Sequence, residues 1–168
     1  MTSLDRVRAA AEARLRTGGF NGFSFRDIAR DADLTNAGVH HYFPTKTDLV
    51  VRLVKDYTER FRDALHDCPA EVKVERLTDL FADSLRQDGK MCLCGLLAAE
   101  SGGLPAPVAE AARTFFETLS DCLSDAFPDR NDPGSEALRV LAQLEGAALV
   151  ATLYSDPLVF EELARHAR

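Results

Sequence analysis

Apolar positions along the chain recur every three or four residues, and the repeats are broken by Gly and Pro rather than by strand-like alternation. Leu4, Val7, Ala11 and Leu15 mark a first amphipathic helix that Gly18-Gly19 stops. Ile28, Ala29 and Ala32 form a second, short stripe, with Phe20 and Phe23 as core plugs ahead of it. Val39 and Phe43 stand four apart on a third helix that ends at Pro44. Leu49, Val50, Leu53, Val54, Tyr57 and Phe61 predict a longer fourth helix, and Val74, Leu77, Leu80, Phe81 and Leu85 a fifth, between breaks at Pro69 and Gly89. Met91–Glu100 is a short apolar sixth, followed by a loop containing Gly102, Gly103, Pro105 and Pro107. Val108–Phe127 is a seventh. Asp132-Pro133 and Asp156-Pro157 each place an N-cap before a Pro at the first helical position, opening an eighth helix to about Tyr154 and a short ninth. The expected fold class is all-α with about nine helices.

The segment Ser24–Lys46 carries the most specific local signals. Ser24 and Asp27 are spaced as a capping box, Thr35 is a good N-cap, and Thr45 with Asp48 repeats the box spacing. Two short helices over about residues 24–43, joined by a tight turn, follow the helix-turn-helix plan, whose second helix enters the major groove. That second helix carries hydrogen-bonding and aromatic side chains and no acid.

Composition narrows the classes. At 168 residues and 46% hydrophobic the chain can bury a core, and disorder is not indicated. No apolar run free of polar side chains approaches the roughly 18–20 residues of a membrane span. The N-terminus has no apolar signal core, so a cytoplasmic protein with four reduced cysteines is expected. The net charge of −7 argues against a nucleic-acid partner, but the acid is unevenly placed: residues 1–60 hold ten Lys and Arg against eight Asp and Glu, the remainder ten against nineteen. A locally basic face suffices to engage phosphates.

Gly19-Phe20, Ser24-x-x-Asp27-Ile28-Ala29, the string Thr35-Asn36-Ala37-Gly38-Val39-His40-His41-Tyr42-Phe43-Pro44-Thr45-Lys46, and Asp48-Leu49 stand in one register. Together they resemble the TetR-type (TetR/AcrR) transcriptional regulators over the first third of the chain. The resemblance implies a helix-turn-helix DNA-binding domain at 1–46 and a ligand-binding and dimerisation domain at 47–168, joined by helix four. It further implies a cytoplasmic homodimeric repressor of a palindromic double-stranded DNA operator, released by a small-molecule effector. Ser24, Arg26, Thr35, Asn36, Ala37, Gly38, His40, His41, Tyr42 and Lys46 are then the DNA-binding candidates. Tyr42 and Lys46 match phosphate-contacting positions, and Asn36, Ala37, Gly38 and His40 point toward base edges, where Asn pairs with adenine and Ala touches a thymine methyl. Arg26 either contacts DNA or is a solvated charge; Tyr42 either contacts phosphate or packs. Gly38 and His40 depart from the Ser or Thr and the Tyr frequent in the family, so no base preference transfers.

Helix eight is apolar on nearly every side from Ala137 to Leu153 and needs cover on more than one face. It is either the central helix of a monomer or, with helix nine, the family's four-helix dimer interface, in which Gly146, Ala147, Ala148 and Ala151 would allow close approach. Two heads of such a dimer would stand about 34–36 Å apart. The effector pocket is expected among helices five to eight, with Phe81, Leu85, Cys92, Leu96, Glu100, Phe115, Phe116, Leu119, Leu144, Glu145 and Leu149 as lining or as plain core. Cys92 and Cys94 raise an alternative, a thiol-based redox, electrophile or metal sensor using the same head, against the simpler reading of small buried hydrophobes. Positions two apart on a helix diverge by about 200° and adjacent ones by about 100°, so neither Cys92 with Cys94 nor His40 with His41 makes a metal pair on a regular helix. No Gly-rich phosphate loop, HExxH or nucleophile elbow is present, so no catalytic residue, metal or cofactor is assigned and an enzyme is not expected.

Overall fold

In the computed structural model, which describes residues 1–165, nine α-helices form and no strand appears among those residues. Local chemistry sets most boundaries. Helix α1 (Ser3–Gly18) opens on a Thr2–Asp5 capping box and closes at Gly19, whose φ of 68° is open to Gly. Helix α2 (Phe25–Asp31) opens on the Ser24–Asp27 box, and α3 (Asn36–Tyr42) on Thr35, whose hydroxyl accepts from the Gly38 N–H at 3.0 Å. At the start of α4 (Lys46–His66), the Thr45 hydroxyl accepts from Asp48 N–H while the Asp48 carboxylate accepts from Thr45 N–H, both at 3.1 Å. Helix α5 (Lys73–Asp88) stops at Gly89 in the left-handed region. After α6 (Leu93–Ala99) and α7 (Ala106–Leu123), Asp132 and Asp156 cap α8 (Pro133–Tyr154) and α9 (Pro157–Ala164), each with Pro at the first helical position. Helix α7 ends earlier than the apolar pattern predicts, giving way to a 3₁₀ turn at Ser124–Ala126. There the Ser124 hydroxyl donates to the Ser120 and Asp121 carbonyls, competing for the acceptors that a further turn would use.

The helices form two compact units. The first comprises Met1–Tyr57 and Leu93–Ala112, so it takes in α1 to α3, the start of α4, α6 and the start of α7. Val7, Ala11 and Leu15 of α1, Ile28 of α2, Val39 of α3, Leu49, Val50 and Leu53 of α4, and Leu93 and Leu97 of α6 are buried in it. Helix α1 packs on α2 and α6, and α2 on α3.

The second unit comprises Thr58–Cys92 and the chain from Arg113. Its centre is aromatic: Phe61 lies edge-on to Phe81 and Phe115 at 5.9 and 5.6 Å, and Phe81 stacks on Phe160 at 6.3 Å. Helix α8 packs on α5 and α9, and α5 on α9. Nearly buried Lys73 donates to the Cys122 carbonyl at 3.0 Å and to Asp125 at 2.7 Å, tying the start of α5 to the end of α7. Helix α8 is long and apolar enough, by length and composition, to cross a membrane, a property shared by core helices of soluble folds. Here its Val140, Leu141, Leu144, Ala148 and Ala151 side are core. The opposite side leaves Leu138, Leu149, Leu153 and Tyr154 between 50% and 80% exposed, and Leu158 of α9 is 67% exposed.

Candidate nucleic-acid interface

Helices α2 and α3 hold the candidate residues at one surface of the first unit. Val39 and Phe43 anchor α3 in the core, which turns its Asn36, Ala37, His40 and His41 outward. A shallow depression of about 520 Å³ between the start of α2 and the face of α3 is lined by Phe23, Ser24, Phe25, Arg26, Asn36, His40 and Lys46. No carboxylate lines it. Five of the ten sequence-derived DNA-binding candidates, Ser24, Arg26, Asn36, His40 and Lys46, thus meet around two aromatic rings. Thr35 caps α3, Gly38 supplies the capped N–H, Ala37 is exposed beside them, and His41 and exposed Tyr42 pack ring edge to face at 5.5 Å just beyond.

The side chains are held in defined ways. Ser24 spends its hydroxyl proton on Asp27 at 2.7 Å, and that hydrogen bond, with the Ser24 N–H, holds the Asp27 carboxyl below the usual range. The imidazole of His40 lies edge-on to Phe25 at 4.7 Å, with Nδ1 3.3 Å from the Pro44 carbonyl. A carbonyl only accepts, so Nδ1 carries a proton toward Pro44. The Lys46 ammonium donates to the Phe23 carbonyl at 2.6 Å and sits over the Phe20 and Phe23 rings, 4.8 and 4.2 Å from their centroids. Desolvation lowers its pKa, opposed by Asp27 and Glu100. Lys46 therefore lines the depression as a seated charge with donors to spare, rather than as a free surface arm. The roles of Phe25 and of the Pro44 carbonyl in orienting His40 carry no local sequence signal beyond apolar character.

Other sequence expectations meet a different geometry. Ala147, Ala148 and Ala151 are 4%, 1% and 1% exposed and face the core of their own unit, while only Gly146 of that set lies on the outer side of α8. The bulky Leu138, Leu149 and Leu153 occupy that outer side instead. Among the pocket candidates, Phe81, Leu85, Cys92, Phe115, Leu119 and Glu145 share the second unit, with Phe116 half-buried against Phe115 at 5.2 Å. Leu149 cannot line an interior pocket, being 55% exposed. Leu96 and Glu100 belong to the first unit, where the Glu100 carboxylate accepts from the Phe20 N–H at 2.8 Å. Both oxygens of Glu145 are buried without a hydrogen-bond partner. Burial, and then the adjacent Cys92 sulfur, push its pKa well above the carboxylate range. Cys92 and Cys94 are 3% and 0% exposed.

Residues 7–53 match the model of the family "Bacterial regulatory proteins, tetR family". The whole chain is similar to a TetR transcriptional regulator from Legionella pneumophila, at 29% identity over 99% of this chain and 96% of that one, with a TM-score of 0.92. A TetR-family regulator from Agrobacterium tumefaciens shares 26% identity over 97% and 94%, with a TM-score of 0.89. At 20% identity over 99% and 96%, the reduced form of Escherichia coli NemR shares the fold, with a TM-score of 0.80. No curated protein sequence matches. The helix-turn-helix signature, the all-helical fold of the described residues and these relatives agree with one another. The chain belongs to the TetR family, a non-enzymatic family of DNA-binding transcriptional regulators.

Proposed function

We propose that the protein is a cytoplasmic homodimeric repressor that binds a palindromic DNA operator through residues 1–46 and is released by a small molecule bound within residues 47–168. The observation that carries the DNA-binding part is the acid-free depression: Ser24, Arg26, Asn36, His40 and Lys46 converge on a space with no carboxylate in its lining, in a chain of net charge −7. Cations and neutral donors gathered there favour a phosphate oxygen, with Arg26 and Lys46 as charge-assisted donors. Ala37 and exposed Asn36 at the tip of α3 are then the base-edge readers, with Gly38 permitting close approach and Thr35, His41 and Tyr42 flanking them.

The release step is supported by Glu145. A buried carboxyl without a partner is uncommon in native proteins and marks a position where another group completes the hydrogen bonding. Phe81, Leu85, Cys92, Phe115 and Leu119 give it apolar company in the second unit. The dimer is supported by the exposed apolar outer faces of α8 and α9, which carry Leu138, Leu149, Leu153, Tyr154 and Leu158. A thiol-sensor reading gains no support from Cys92 and Cys94, whose burial keeps them from reagents in this conformation.

The test is binding to duplexes covering the DNA next to the protein's own reading frame, followed by fluorescence anisotropy across salt. Arg26→Ala and Lys46→Met are each expected to flatten the dependence of log affinity on log salt by about 0.9 for every phosphate that the variant no longer neutralises. Unchanged slopes in both variants would remove the depression from the interface.

A further inference from the structure

Glu100 follows the last turn of α6, eighty residues from the head in sequence, yet its carboxylate serves the turn between α1 and α2. Oε2 accepts from the Phe20 N–H at 2.8 Å. That approach depends on Gly19: a Cβ there would collide with the Glu100 carboxylate, and the local φ of 68° is one that side chains rarely adopt. Lys46 grips the same turn from α4, through its hydrogen bond to the Phe23 carbonyl and its place over the Phe20 and Phe23 rings. The Glu100 charge, with that of Asp27, also favours the ammonium form of Lys46 against its desolvation. Glu100, Phe20, Lys46 and Phe23 thus form one run of contacts, all within the first unit, from the end of α6 to the rim of the depression.

We infer that Glu100 is a positioning residue for DNA binding: it fixes the Gly19–Phe23 turn and, through the two rings, the place where Lys46 presents its ammonium. A lysine side chain free in solution samples many rotamers, and ordering it at a phosphate costs entropy. A lysine already seated over two rings has met most of that cost before DNA arrives. Without Glu100, the Phe20 N–H loses its acceptor, the turn loses its fixed point, and the Lys46 seat loosens. This inference rests on the proposal that the depression receives a phosphate.

The experiment uses the full-length protein and a labelled duplex of about 30 base pairs, long enough for two heads set about one helical turn apart. Affinity and its salt slope are measured for Glu100→Ala, Glu100→Gln, Lys46→Met and the Glu100→Ala/Lys46→Met double variant, each below its own unfolding midpoint. Glu100→Leu replaces the Ala variant should that one not fold. Glu100→Ala is expected to weaken binding by about tenfold, the scale of one charge-assisted hydrogen bond, and to flatten the salt slope as Lys46→Met does. Glu100→Gln keeps a carbonyl acceptor for Phe20 and is expected to retain most of the affinity. The double variant is expected to bind no more weakly than Lys46→Met alone, because both changes remove the same phosphate interaction. A parental slope in Glu100→Ala, full additivity in the double variant, or a Gln variant as weak as the Ala one would each overturn the positioning role. If Lys46→Met itself leaves affinity and slope unchanged, the phosphate seat fails and the positioning role falls with it. A Lys46 effect with a silent Glu100→Ala refutes Glu100 alone.

Discussion

Two residues define sharp outcomes by themselves. Gly19 combines φ 68° with ψ −171°, a region essentially confined to glycine, and its missing Cβ leaves room for the Glu100 carboxylate. Gly19→Ala therefore adds backbone strain of about 1–3 kcal/mol and pushes the Glu100 carboxylate away from the Phe20 N–H. Denaturant unfolding of the purified variant should show that loss, and a change under about 1 kcal/mol would mean the turn has an easy alternative path. Glu145 works in the opposite sense, because its carboxyl is buried without a hydrogen bond in the second unit. Glu145→Met removes an orphaned polar group and is expected to stabilise the protein by about 1–3 kcal/mol at neutral pH. The pH dependence has a definite sign. The folded-state pKa lies above the ordinary 4.5, so between those two values the folded protein holds a proton that the unfolded chain has released. Stability contributed at low pH is thus lost as pH rises from about 4.5 through the folded pKa, and it levels off above it. The Met variant should lack that decline in a urea midpoint series, and parallel curves for parent and variant would show that Glu145 titrates normally.

At the level of helices, the sequence is most legible where the deciding interaction spans four residues or fewer. The Ser24–Asp27 and Thr45–Asp48 boxes, the Thr35 cap and the two Asp-Pro starts all close hydrogen bonds within one turn, and all of them form as the spacing predicts. Thr35→Ala tests the cap of the helix proposed to face DNA. Helix α3 has only seven residues, so losing one cap, worth about 0.5–2 kcal/mol, should fray its first turn and weaken DNA binding more than it lowers global stability. Hydrogen exchange at the Gly38 amide, whose acceptor is the Thr35 hydroxyl, reads this directly; protection unchanged from the parent would show that the cap is dispensable. Long-range partners are not legible in the same way. Nothing near Glu100 announces an acceptor role toward Phe20, so a lone acid beside apolar residues suggests a pocket instead. In α8 the ambiguity is one of direction: when almost every position is apolar, periodicity no longer says which side faces inward. Small Ala147, Ala148 and Ala151 suggest close packing against a second subunit, whereas α5 and α9 of the same chain cover that side.

Across the whole molecule, the proposed dimer rests on the outward side of α8. Leu138, Leu149 and Leu153 recur at helical spacing and stay 50–80% exposed, Tyr154 is 70% exposed, and Leu158 of α9 is 67% exposed. Scattered exposed leucines need no explanation, but a row of them on two consecutive helices fits the subunit contact of the proposed dimer. A two-fold partner presenting the same row is self-complementary, with Gly146 and Ala142 on the outer side letting the helices approach. Leu149→Glu with Leu153→Glu places two charges in that row without touching the core side of α8, so the fold should survive while the dimer does not. Sedimentation should then report a species of 18.4 kDa, with the helical circular dichroism of the parent. The consequence for DNA follows from linkage of the two heads. In a dimer the second head binds as an intramolecular event, which raises overall affinity by about 10²–10⁴ over one head. The monomeric variant should therefore lose that factor on a palindromic duplex, yet bind a single half-site about as well as each head of the parent does. A monomer with undiminished affinity for the palindrome would show that each head acts alone, and a dimer that persists with both glutamates in place would move the subunit contact to another face.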